Sequence, residues 1–447
     1  MTLRNLLFGK TGDSAAAYEL YSADIARWAE IYNGGGDWRY AKRGGLNGGT
    51  RRVAALNAAR AVCSELARLC FSEGTTLISA DGETQSLLQR VLRENSFDQR
   101  FPDFLEKVFA LGGGVIKVYW DGGIKLDFVT ADCFAPTAWD SRGIYGGAFG
   151  SRVFRNGKSF FLAETQELSA EGLVIENKLF TDDGRAAKLS DAFDNLAEKS
   201  VLSGAKRPLF VYFRAAGGRG KCPVLGSSVF AGAEDTLKAL DIVFDSLNRE
   251  FILGKKRIIV PYYAVRGEYD ENGEIKKYFD ANDEVFQALS TTDNEELNIV
   301  DNTQTLRVEE HTEAISALLD LLCMQAGLSE GAICFSDGTL KTAAEVVSRN
   351  SRTYRTQSLY RRLIADGLSQ LAESICMLAK MAGQLSEQAS ESAEVAFADG
   401  VSEDEGTRTD RAIKLYAAGL IGKERALSQI YGISLEQAKA LSDEEMA

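Results

Sequence analysis

All five prolines of the chain stand at positions 102, 136, 208, 223 and 261, and none follows. Because proline removes a backbone donor and clashes with the preceding turn, the region beyond 261 is free to build long helices. The apolar pattern uses that freedom. Leu237, Leu240, Phe244, Leu247 and Phe251 alternate steps of three and four, a heptad seam on a helix expected over 229–253, about 25 residues or ~38 Å. Gly254 ends it, and Lys255, Lys256 and Arg257 follow where cations meet the negative end of the helix dipole. Residues 258–308 read as turns and short strands, with an Asn272-Gly273 turn, an apolar run at 285–289 and an acidic one at 293–296. A second helix opens on Glu309, Glu310 and Glu313, carries Ile315, Leu318, Leu319 and Leu322, and stops at Gly327. Two helices therefore bracket a small β insertion.

After a loop at 328–341, Thr342 and Glu345 have the spacing of a capping box. Only Gly367 interrupts the pattern before Gly383, so a helix of about 40 residues, ~60 Å long, is expected. Its seam is Tyr360, Ile364, Leu368, Leu371, Ile375 and Leu378. Its first half is polar, with Arg349, Arg352 and Arg355 at three-residue steps, and must face solvent, a neighbour or a ligand. Beyond it lie a Ser/Glu-rich linker at 386–394, a short strand expected at 395–397 and two or three short helices over 407–445. In the first half, helices are expected at 54–71, 87–91 and 104–111, and short strands at 115–120, 124–129, 150–154, 160–164, 173–180 and 209–213. Helices followed by a block of short strands make an α+β chain.

Charge and residue counts remove whole classes of function. Lys and Arg number 51 against 64 Asp and Glu, a formal charge of -13, opposite to the basic footprint of a sequence-specific DNA grip. The single histidine, His311, excludes HExxH zinc sites and His-rich metal centres, and at a helix start among glutamates it is expected to be exposed or interfacial. Seven cysteines, with no CxxC pair, read as reduced and mostly buried thiols. No apolar run reaches bilayer length and the N-terminal residues lack a secretory stretch, so the expectation is a cytoplasmic chain without a membrane span. Gly9-Lys10-Thr11 ends like a phosphate loop but has Arg4 where the first glycine belongs, and no carboxylate pair stands in a catalytic motif. No catalytic residue, metal ligand or cofactor is expected. The segment 341–380 is basic within an acidic chain. Its arginines suit either DNA phosphates or the acidic faces of neighbouring subunits, and the acidic excess elsewhere favours the second.

The run GLSEGAICFSDGTLKTAAEVVSRNSRTYRT at 327–356 resembles the portal proteins of tailed bacteriophages, in the branch of siphophages of Gram-positive hosts. WAEIYNGGG at 28–36, ELARLCFSE at 65–73, ALGGGVIKVYW at 110–120, the stretch 237–261 and YAAGLIG at 416–422 look like the same family, in the same order.

The resemblance implies a portal fold with an α/β wing, a two-helix stem, a small β-containing clip, a long wing helix and a short helical crown. Its boundaries would be a wing at 1–226, stem helices at 227–254 and 309–327, the clip at 255–308, a tunnel loop at 328–341, the wing helix at 342–385, and a wing strand with crown at 386–447. The implied function is a non-enzymatic ring, usually of twelve copies, at one capsid vertex, through which DNA is packaged and later leaves. Tunnel-loop residues Ser336, Asp337, Thr339 and Lys341 would touch DNA without sequence recognition. Lys255, Lys256 and Arg257 would form a basic ring, and Arg349, Arg352 and Arg355 would make electrostatic contacts between subunits. The implied partners are further copies of the chain, double-stranded DNA, the terminase large subunit, major capsid and scaffolding proteins and a head-to-tail adaptor, in the host cytoplasm during assembly and then in the virion. A helical scaffold without a channel, which would form small oligomers, and a DNA-processing enzyme remain as rival readings.

Overall fold

A computed structural model describes residues 13–42, 49–71, 75–140, 142–217, 224–254, 258–259, 267–269, 275–277, 300–301, 305–333, 350–397, 405–419 and 421–431. The chain opens with helix α1 (Asp13–Tyr32), a two-stranded ribbon of β1 (Tyr40–Lys42) and β2 (Thr50–Arg52), and helix α2 (Ala58–Cys70). In α2 the residues Ala59, Val62, Cys63, Leu66 and Cys70 recur on one buried face, as the spacing predicts. The helix begins four residues later than its apolar pattern suggests. Backbone N–H groups that would have entered a first turn are used elsewhere, since Ala54 and Leu56 donate to Asp245 and Asp241, and Asn57 turns the chain with φ 56°.

Strand β3 (Thr76–Ile78) leads into α3 (Gly82–Glu94) and α4 (Phe97–Leu111). Asp81 caps α3 by accepting from the Thr84 N–H at 3.3 Å and its hydroxyl at 2.9 Å. Both helices are longer than their apolar cores at 87–91 and 104–111, because polar first turns carry no hydrophobic signal. Pro102 lies inside α4.

Three strands in the order β12 (Phe210–Arg214), β4 (Gly113–Trp120), β5 (Ile124–Thr130) form one antiparallel sheet. Its central strand is buried on both faces. Ile116 and Val118 join the main core, while Val115 joins Phe134, Phe149 and Phe210 in a second one. The other sheet is an antiparallel meander of β6 (Phe134–Asp140), β7 (Gly143–Arg155), β8 (Lys158–Ser169) and β9 (Gly172–Thr181), with β10 (Ala186–Ala187) and β11 (Lys199–Ser203) both on β9. These strands outrun the short apolar stretches that announced them, since paired backbone continues through polar positions. The two sheets are tied by Lys117 of β4, whose buried ammonium lies 2.7 Å from Glu164 of β8.

The second half supplies α5 (Glu234–Leu253), α6 (Val308–Gln325) and α7 (Ser351–Met381). Between α5 and α6, the described residues contain β13 (Ile258–Ile259) paired with β16 (Val300–Asp301), and β14 (Gly267–Tyr269) paired with β15 (Ile275–Lys277). The expected Asn272-Gly273 turn and the capping box at Thr342 and Glu345 lie outside the described residues.

Helix α7 packs its seam, Tyr360, Ile364, Leu368, Leu371, Ile375 and Leu378, across the main core. Gly367 is what lets it lie there, because a β-carbon at that position would meet the Phe213 ring at 2.6 Å. Phe213 in turn joins Phe71, Phe97, Phe101 and Phe104 in a cluster with ring centroids 4.7 to 6.4 Å apart. The chain then returns to its own beginning. Strand β17 (Glu394–Ala396) pairs with β3, Val395 opposite Leu77, and is followed by α8 (Glu405–Ala417) and α9 (Lys423–Tyr431).

Candidate assembly and channel surfaces

Helices α5 and α6 form an antiparallel hairpin whose two ends are each fastened by a polar contact. Thr236 donates its hydroxyl to Gln325 Oε1 at 2.9 Å at the end next to the core. At the other end Arg307 makes a two-pronged pair with Glu250, both contacts at 3.1 Å, and holds that carboxyl below the usual range. His311, partly exposed as expected, donates its Nδ1–H to the Arg307 carbonyl at 2.6 Å. Five residues of the heptad seam follow this geometry unevenly. Leu237 and Leu240 are buried, Phe244 and Leu247 pack half-buried on the core, and Phe251 is 50% exposed. The helix starts at Glu234 rather than 229, because 229–233 form turns against α4, with the Val229 N–H donating to the Phe109 carbonyl at 3.0 Å.

Two carboxylates one turn apart attach the N-terminal ribbon to the hairpin. Asp241 accepts from the Trp38 indole at 2.8 Å and the Leu56 N–H at 3.0 Å, and pairs with the buried Arg39 at 3.2 Å. Burial lowers the Arg39 guanidinium, and Asp241 counters that shift. Asp245 accepts from both Arg51 terminal nitrogens at 2.7 Å and from the Ala54 N–H at 3.0 Å. The Arg51 hydrogen bonds keep its carboxyl below the ordinary aspartate value. Sequence reasoning missed this network. Its one visible signal was a pair of acids, Asp241 and Asp245, at i and i+4 among the apolar residues of the helix.

The segment after α6 is stapled to the start of α7. Ser329 and Thr353 exchange hydrogen bonds at 2.8 and 3.2 Å, Thr356 donates to the Gly327 carbonyl at 2.6 Å, and Asp320 accepts from the Gly331 N–H at 3.0 Å. Gly327 sits at φ +80°, where a β-carbon would press on Thr356 Oγ1 at 2.8 Å. Tying loop to helix in this way means that whatever moves one moves the other.

Among the expected site residues, Arg352 and Arg355 lie on the exposed side of α7, and Arg355 donates back to the Ser351 carbonyl at 3.3 Å. Ser336, Asp337, Thr339, Lys341, Lys255, Lys256, Arg257 and Arg349 lie outside the described residues. Cys63, Cys70, Cys323 and Cys376 are buried thiols in no disulfide, and Cys133 is half-buried. Among the described residues no His/Cys/Asp/Glu group could hold a metal ion, and no helix is long and apolar enough to cross a membrane.

Exposed chemistry on the hairpin is of two kinds. Ile242, Phe251, Ile252, Leu253, Leu321 and Met324 present apolar side chains to solvent, and Glu309, Glu310 and Glu313 line the outside of α6 near its start.

Three solved structures are distantly similar. A chain of the virion of a native gene transfer agent particle matches with 12% identity and a TM-score of 0.42, covering 94% of each chain. Chains of the neck of the native particle, computed with C12 symmetry, and of the empty particle, computed with C6 symmetry, match with 13% and 14% identity and TM-scores of 0.41 and 0.42. They cover 83% and 84% of this chain and 88% and 89% of theirs. Among curated proteins, none matches. The model of the family described as phage portal protein, SPP1 Gp6-like, matches residues 217–447, more than half of the chain and all of the hairpin, its insertion and α7. The chain belongs to this phage portal protein family and is a portal, or connector, subunit.

Proposed function

We propose that the chain closes into a ring, twelve copies being the expected number, at one vertex of a phage capsid. The α5–α6 hairpin is the stem beside a central channel, the insertion between its helices is the clip, and the segment 328–341 is the tunnel loop. Double-stranded DNA passes through without sequence recognition, inward under the terminase motor and outward at ejection. The clip meets the terminase large subunit and later a head-to-tail adaptor, and the wing meets capsid and scaffolding proteins. The reading is of a conduit without catalysis, assembled in the host cytoplasm and carried in the virion.

The observation that carries this reading is the surface of the hairpin. Six large apolar side chains exposed on two adjoining helices are costly to leave in water, each worth roughly 1.5–3 kcal/mol when fully buried. Copies of the same hairpin placed side by side would cover them. The acidic residues on the same element and the -13 charge of each copy would repel DNA phosphates and let the duplex slide.

Light scattering and negative-stain microscopy of the purified protein test the reading. A particle of about twelve subunits with a central hole is expected. A chain that stays monomeric or dimeric across salt and protein concentration, even with capsid and scaffolding proteins present, would favour a scaffold without a channel. Lys341→Glu is expected to leave ring assembly intact and reduce DNA packaging or retention. Normal packaging by assembled mutant rings would remove Lys341 from the channel contacts.

A further inference from the structure

The two flanks of the hairpin carry opposite charge. On one side Lys238, Ile242, Ser246, Arg249 and Leu253 of α5 line a groove bordered by Arg51 of the ribbon, by Arg307 just before α6 and by His311 of α6. Asp245 and Glu250 also face this groove, but they are engaged by Arg51 and Arg307. Lys238 and Arg249 form no ion pair among the described residues, and both are exposed. On α6, the residues Glu309, Glu313, Ala317, Leu321 and Met324 follow at steps of four, four, four and three. All five are exposed, on the side away from Ile315, Leu319 and Leu322, which pack inward. Glu309 and Glu313 likewise have no ion-pair partner among the described residues.

Height along the hairpin makes the two flanks match. With a rise of about 1.5 Å per residue, Thr236 and Gln325 both lie ~25 Å from the free end of the stem, in agreement with their hydrogen bond. On the same scale Arg249 stands at ~6 Å and Glu313 at ~7.5 Å, Ile242 at ~16 Å and Leu321 at ~19 Å, and Lys238 at ~22 Å. Side chains lean toward the N-terminus of their own helix, so Ile242 and Leu321 lean toward each other's level. A closed ring relates its subunits by rotation alone and brings equal heights together.

We infer that the occupant of this groove is a second copy of the chain: Arg249 of one stem receives Glu309 and Glu313 of the next, and Ile242 packs on Leu321. The inference rests on the ring proposed above and specifies its contact. Charge at the free end would set register, and apolar contact above it would supply most of the burial.

The test uses the full chain, with particle mass and a cross-link as readouts. Arg249→Glu and Glu313→Arg are each expected to weaken assembly by about tenfold or more, and the combined swap to restore it. In assembled rings an Ile242→Cys, Leu321→Cys double variant is expected to give a ladder of covalent oligomers on a denaturing gel after treatment with a short bismaleimide, while each single variant gives none. If the wild type forms rings, the charge variants assemble equally well and the cysteine pair does not link, this contact is overturned and the ring stands. A wild-type chain that never forms rings overturns both. Should a charge variant fail to fold by circular dichroism, the cysteine pair decides alone.

Discussion

Arg51 and Asp245 face each other fork to fork, each terminal nitrogen 2.7 Å from its own carboxylate oxygen, and so pin the N-terminal ribbon to α5. The residues are 194 positions apart, and Asp245 also fixes the Ala54 N–H. Replacing Asp245 with alanine would take the carboxylate partner from a partly exposed guanidinium and the acceptor from the Ala54 N–H. The expected cost is about 2 kcal/mol, read as a lowered unfolding midpoint, whereas Arg249→Ala, one turn further on, is expected to change folding stability little.

The same pair predicts a response to acid. Asp245 is held below its usual value by Arg51, and Glu250 by Arg307. A depressed carboxyl contributes stability that is complete above its unfolded pKa, about 3.9 for Asp and 4.3 for Glu, and is lost as pH falls through the folded value. Denaturant titrations from pH 7 to 3 are therefore expected to be flat at first and to fall below about pH 4. Asp245→Asn is expected to remove part of that fall, and an unchanged profile would deny the pair its role.

Leu240 and Phe251 lie on one seam but should behave differently. Leu240 is fully buried and Phe251 half exposed. Leu240→Asp would bury a charge in the core and is expected to cost several kcal/mol and prevent folding. Phe251→Asp is expected to keep the far-ultraviolet circular dichroism of the wild type and to reduce assembly.

Burial pushes the Cys70 and Cys376 thiols up to about 12 and Cys133 to about 11. At pH 8 the first two are expected to resist iodoacetamide in native protein and to react fully after denaturation, as peptide mass spectrometry would show. Rapid native labelling of Cys376 would mean that α7 opens away from the core.

Gly367 offers a test of how α7 seats. Alanine there would drive a methyl group into the Phe213 ring, with an expected cost of about 1–3 kcal/mol. Pairing it with Phe213→Leu is expected to recover part of the loss, since the double variant removes the atoms that collide.

Much of this protein was legible in the residues alone. Helices α5 and α6, the β pairs between them, the α7 seam from Tyr360 to Leu378 and the return strand near Val395 all announced themselves, because each signal depends on neighbours three, four or two positions away. The family resemblance pointed to a portal subunit for the same local reason, through runs of residues in order. Tertiary structure decided what depends on distant partners. It delayed the start of α2 to Ala58, because Asp245 and Asp241 claim the Ala54 and Leu56 backbone donors before it. It divided the heptad seam into a buried half at Leu237 and Leu240 and an exposed end at Phe251, because the main core reaches only part of the way along α5. It also set Lys238, Ile242 and Arg249 on one flank and Glu309, Glu313 and Leu321 on another. Periodicity tells which residues share a face, but only the packing of one helix on its neighbours decides which faces remain for something else to cover.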